Sequence, residues 1–252
     1  GDAPQPRTAA DAWVAAMADT LFKSSPADAA EAAAAALAEG FSAEAIGEAI
    51  CLAANQLVLR DAGRPASQAK PPEKPVGSVH GDSIGVHASD SANAWRNMAK
   101  TGDRRNRVAC LVLGAHQVAR DRLARGGDFL SWQPYPRAEH LEKVRGKSPQ
   151  DFLSEAEAAI RENDQARACA AVYRFHELSP DAQPVFDLLL RYSVSEDGAL
   201  HAEKYFQTVA EDFSATRPSL RWRHLLGLAR VTASAYGYPA PGLEEAQGLL
   251  GT

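Results

Sequence analysis

FSAEAIGEAICLAA, residues 41–54, and LSPDAQPVFDLLLR, residues 178–191, share one grammar, and the likeness decides how the whole chain is read. Each opens on an apolar residue, then a serine, then an acid two places on: Ser42 with Glu44, Ser179 with Asp181. A serine before an apolar run is a helix N-cap, because its hydroxyl can accept from an amide that the first turn leaves unpaired. Two further landmarks follow in the same order. SIGVHASD lies over DGALHAEK, placing His87 on His201, and CLVLGAH lies over RHLLGLA, placing Gly114 on Gly227. The offset between copies is 137 residues at the first landmark, 114 at the second and 113 at the third. One insertion of 23 residues in the first half accounts for the change from 137 to 114. It falls on AGRPASQAKPPEKPVGSV, Ala62 to Val79, which carries four prolines and no periodicity and therefore reads as a loop.

Apolar residues recurring at three and four predict helices over Ala9–Phe22, Pro26–Glu39, Ser42–Arg60, Ser83–Lys100 and Arg107–Arg125. A second set follows over Pro149–Glu162, Asp164–Glu177, Pro180–Ser193, Asp197–Phe213 and Leu220–Tyr236. The expected fold is all-α: two tandem five-helix repeats packed as one pseudo-twofold bundle. Residues 1–128 form the first repeat with its inserted loop at 62–79, 129–148 a linker, and 149–252 the second repeat.

The chain has 252 residues, a net charge of −5 and 45% hydrophobic content. That mild acidity argues against nucleic acid as a partner, since phosphate affinity rests on a positive field. No apolar run approaches the roughly 20 residues that span a bilayer. Cys51, Cys110 and Cys169 each sit in a helical pattern without CxxC spacing and read as buried thiols. The polar start GDAPQPRTAADAW leaves two compartments open, the cytoplasm or export after signal removal.

Residues equivalent in the two copies meet near a twofold axis, so His87 and His201 are expected to be neighbours. Each has an acid five residues upstream, Asp82 and Glu196, which could hold one ring nitrogen and leave the other free as a metal ligand or a base. His80, at the loop's end, could swing in as a gate. Trp95 and Arg96, two turns beyond His87, could wall a cofactor pocket. Such a donor set suits iron, copper, zinc or haem. The competing reading of every one of these histidines is a packed side chain bonded to a backbone carbonyl.

AAAAALAEGFSAEAIGEAICLAA, Ala32 to Ala54, resembles the helical unit of the alkylhydroperoxidase D-like and carboxymuconolactone decarboxylase families. The resemblance covers 23 residues and implies an all-α, often duplicated, usually oligomeric protein. Those peroxidases use a CxxC pair upstream of the unit, and the preceding ADAWVAAMADTLF has no cysteine. The resemblance therefore speaks against thiol peroxidase chemistry and transfers no functional residue. Nor does the chain contain HExxH, GxxxxGK[ST] or GxGxxG.

Two functions follow as expectations. One is an enzyme with a histidine-centred site between the repeats, in its most concrete form a metal-dependent oxidoreductase acting on a small organic molecule. The other is a scaffold that grips a partner protein through the proline-rich loop and the arginine-rich turns at Thr101–Arg107 and Thr216–Arg223.

Overall fold

The computed structural model describes residues 6–196 and 201–251. Twelve α-helices and no β-strand form among them, so the protein is all-α. The first half supplies α1 (Asp11–Lys23), α2 (Pro26–Ala38), α3 (Ala43–Arg60), α4 (Ile84–Thr101) and α5 (Arg104–Arg125). A four-residue helix α6 (Ala138–Leu141) lies in the expected linker. The second half supplies α7 (Pro149–Arg161), α8 (Gln165–Leu178), α9 (Gln183–Ser195), α10 (Ala202–Ala215), α11 (Trp222–Ala235) and a terminal α12 (Leu243–Leu250). No helix among these is long and apolar enough to cross a membrane.

The serine caps form as the sequence requires. Ser25, Ser42 and Ser83 accept from the amides of Asp28, Ala45 and Val86, and Ser148 and Asp164 do the same for α7 and α8. Three starts move. Asp103 caps α5, whose exposed first turn RRN hides the apolar period, so the helix begins at Arg104 and not Arg107. The carboxylate of Asp181 accepts from the Gln183 amide in a turn, which delays α9 to Gln183. The expected start of α10 at Asp197 lies outside the described residues.

Each half builds its own apolar core. One is made by α1 to α5, around Phe22, Ile46, Leu52 and Leu111. The other is made by α7 to α11, around Ile160, Phe175, Leu189 and Leu225, and it also takes in Val58, Leu59, Val79 and Val86 from the first half. Helix α3 is the shared element, with every residue from Ala45 to Leu59 buried. Small residues let it be approached closely. A Cβ on Gly85 would lie 3.0 Å from backbone atoms of Val58, and one on Gly227 would lie 2.7 Å from the Asn55 amide nitrogen.

Between the halves, α4 packs on α10 and α3 packs on α11. The first contact is parallel and in register. His87 meets His201, Asp90 meets Lys204 and Asn97 meets Glu211, each pair 114 residues apart, the offset at which a duplication would superpose them. The second contact is lopsided, because α3 on α11 has no counterpart of comparable extent between α9 and α5. The in-register seam is thus local to α4 and α10.

Candidate functional site

The seam of α4 and α10 begins at the histidine pair. His87 lies one turn into α4 and is exposed; His201 is the residue before α10 and is half-buried. Their ring centroids are 5.6 Å apart with planes at 86°, an edge-to-face contact. The Nδ1 of His201 is buried and has no hydrogen-bond partner among the described residues. A void of about 10 Å³, one water's worth, lies beside it and is also lined by Gly81, Tyr192 and Tyr205. Asp121 of α5 lies within electrostatic reach of His87. Burial holds its carboxyl above the ordinary carboxylate range, against the opposing pull of Arg120, Gln117 and the nearby His87.

The other expected members of this site are elsewhere. His80 is buried, not a gate: its ring nitrogens lie 2.8 Å from Ser234 Oγ and 2.8 Å from the Glu73 carbonyl, and its face stacks on Tyr238. Asp82 does not orient His87, because Arg64 at 2.6 Å and Lys74 at 3.0 Å take its carboxylate. Burial would raise that carboxyl, but the Lys74 hydrogen bond and the charges of Lys74, Arg64 and Lys70 outweigh it and hold the group below its usual value. Glu196, the residue after α9, accepts from the amides of Gly237 and Tyr238 and is not the partner of His201.

Trp95 and Arg96 wall no cofactor pocket. Trp95 packs against Gly114 of α5 and donates to Gln117. Arg96 is buried beside Gly47, donates to the Glu44 carboxylate and the Ala215 carbonyl, and has Asp212 at 3.8 Å. Asp212 also accepts from Asn93 and lies 4.0 Å from His224. Burial keeps the His224 imidazole below its ordinary value, although Asp212 pulls it up. The Cys51 thiol, in the same interior, is pushed well up by burial and then by Asp212. Cys51, Arg96, Asp212 and His224 are thus buried together as packing partners.

With those residues engaged, no three of the described His, Cys, Asp and Glu side chains converge to hold a metal ion. The metal set expected at His87 and His201 reduces to two imidazoles.

One feature near His87 was not foreseen from the sequence. A cavity of about 390 Å³ opens beneath the proline-rich loop, between the start of α4 at Ser83 and Ile84 and the end of α5 at Ala124 and Arg125. Arg64, Lys70, Lys74 and Arg125 line it against Asp61 and Asp82. His87 follows Ser83 by four residues and Asp121 precedes Arg125 by four. Four residues is about one helical turn, so the histidine end of the seam sits one turn along α4 and α5 from this cavity. The signal available in the sequence was the pair of lysines in KPPEKP; nothing local tied them to α4. Asp121 had no signal, since the electrostatic influence of His87 on it runs between helices.

The loop itself is pinned. The amides of Arg64 and Gly77 donate to the Ser78 and Arg64 carbonyls, and Gln165 of α8 donates to the Gly77 carbonyl. Arg217, in the second arginine-rich turn, is spent on Glu48 and Asp11.

No family model matches the chain, and no curated protein and no solved structure matches it. The likeness of residues 32–54 to the alkylhydroperoxidase D-like unit rests on those residues alone.

Proposed function

We propose that this protein is an enzyme acting on a small polar molecule at the α4 and α10 seam, with His87 and His201 as its proton-handling pair. The observation that carries the reading is the pair itself: two imidazoles edge to face at 5.6 Å, one exposed and one whose Nδ1 has no partner among the described residues, with His87 a turn from a cavity of about 390 Å³. Imidazole is the side chain whose proton moves most readily near neutral pH. An exposed ring backed by a second one can give a proton to a reacting atom and be resupplied from behind.

The metal-dependent form of this reading has less support, because two imidazoles are fewer than the three protein ligands that catalytic zinc usually takes. The scaffold reading loses two of its grips, since the proline-rich loop and Arg217 are bound by the chain's own groups.

The test begins with a thermal-shift screen of small organic acids, amides and phosphates, followed by turnover of whatever binds. Replacing His87 or His201 by Ala should lower turnover by about 10²- to 10⁴-fold, the usual worth of a general acid–base group, with binding largely kept. Turnover that is unchanged in the double variant would refute the proposal.

A further inference from the structure

We infer that the cavity beneath the proline-rich loop binds a small dianion, a phosphate monoester or a dicarboxylate. This inference stands apart from the role given to the histidine pair, since it needs neither ring.

The cavity is built for charge. Lys70 and Lys74 pair through both backbone hydrogen bonds of an antiparallel bridge, Lys70 N to Lys74 O at 2.8 Å and Lys74 N to Lys70 O at 2.9 Å. Residues directly opposite in such a pair project their side chains to one face, and like charges so placed destabilise each other. Both lysines line the cavity. Arg64, buried at 8% exposure, is clamped beneath them by Ser78 Oγ at 2.6 Å and Asp82 at 2.6 Å. The Arg125–Asp61 pair closes on itself, with guanidinium nitrogens at 3.0 and 2.8 Å from the two carboxylate oxygens. What remains is three cations, Arg64, Lys70 and Lys74, around the one carboxylate of Asp82. The surplus is two positive charges. The start of α4, an 18-residue helix, opens on the same space and adds the positive end of its dipole.

Volume selects the size of the ligand. About 390 Å³ lies at the small end of ligand pockets, enough for a molecule of ten or so heavy atoms and too small for a nucleic-acid strand or a folded partner. A dianion there would neutralise the surplus, bridge the two lysines and relieve their repulsion.

Titration calorimetry of the intact chain with inorganic phosphate and with malonate, at constant ionic strength and with chloride and acetate as monoanion controls, tests this. Saturable binding of phosphate, malonate or both, with neither control competing, is expected, and the stronger of the two identifies the source. Lys70→Ala combined with Lys74→Ala should weaken binding at least tenfold. Lys147→Ala, outside the cavity, and the double variant His87→Ala with His201→Ala should bind as the native chain does. Circular dichroism confirms that each variant is folded. No dianion binding above the chloride level, or equal binding by the double lysine variant, overturns the inference. Loss of binding in the histidine variant alone overturns it too, by moving the site to the seam.

Discussion

Arg230→Met should destabilise the protein by about 3 kcal/mol, and the arithmetic follows from where the guanidinium sits. Arg230 is 1% exposed, yet its nearest carboxylate, Asp61, offers it only the backbone carbonyl. Its terminal nitrogens donate to the carbonyls of Val58 and Asp61, at 2.5 Å each, at the end of α3, where the last helical carbonyls have no partner of their own. Nε donates to Gln165 at 3.1 Å, and the guanidinium lies 4.1 Å from the centroid of the Tyr135 ring. Burial lowers the Arg230 pKa, which marks the desolvation that these contacts offset. Methionine removes the desolvation penalty and fills much of the volume, a gain of a few kcal/mol. It also abolishes three hydrogen bonds from the guanidinium and leaves two buried carbonyls and the Gln165 amide oxygen without that donor, at about 1–3 kcal/mol each. The loss wins because the carbonyls cannot be removed with the side chain. For a chain of this size about 3 kcal/mol lowers the melting temperature by about 10 °C. Arg230→Lys, which keeps the charge and cannot bridge both carbonyls, should fall between. Urea denaturation by circular dichroism reads the difference, and a methionine variant within 1 kcal/mol of the native chain would refute the argument.

Three further outcomes follow from the interior. His224 is held below its ordinary pKa of 6.5 by burial, so the unfolded chain binds the proton more readily. Stability from this group is therefore complete above the unfolded value and declines as pH falls below it, by up to about 1.4 kcal/mol per pH unit. His140 and His176 are displaced in the same direction, so urea midpoints of His224→Gln between pH 7 and 5 should show a shallower decline, not a flat line. Gly85→Ala should cost about 1–3 kcal/mol by overpacking, since its Cβ would lie 3.0 Å from the Val58 backbone, and the His87 resonances should shift in the NMR spectrum of the variant. Burial pushes the Cys169 thiol up to about 12 and the Cys51 thiol well up, so iodoacetamide at pH 8 should label neither in the native protein and both in urea, read by mass spectrometry.

The helices were legible because their signals are local. Ser25, Ser42, Ser83, Ser148 and Asp164 cap helices whose apolar stripes recur within a few residues, and both cores follow from those stripes. Helix α12 was not legible, and the reason is physical: none of its residues is buried, so no packing partner imposed a period on its sequence. The histidine pair could be read from the offset between the halves. Its supposed partners could not, because Asp82 precedes α4 in a turn whose surroundings are set by the folding of an aperiodic loop. Arg64 and Lys74 of that loop reach its carboxylate first. Glu196 met a similar fate at the end of α9, captured by amides more than 40 residues away in sequence. Spacing along a chain ranks candidates for a contact only while no distant group competes for the same atom.

What spacing did carry, the meeting of His87 and His201, has a cause further along the same seam. Two apolar helices can slide by a turn at little cost, since one leucine fits much like the next. The faces of α4 and α10 are polar where they meet. Asp90 takes Lys204 and the Thr208 hydroxyl, Asp212 takes Asn93, and Glu211 takes Asn97. Asp90 and Asp212 are 7% and 2% exposed, so a slip of one turn would strand two buried carboxylates, each at a penalty of several kcal/mol. Arg96 adds to the lock by donating to the Ala215 carbonyl at the end of α10. The register is thus held by charge, and both ends of α4 inherit it. Arg96, read in the sequence as part of a cofactor wall, is instead one of the charged groups that fix the distance between the imidazoles, and Ser83 at the same end of α4 sets His87 one turn from the cationic cavity.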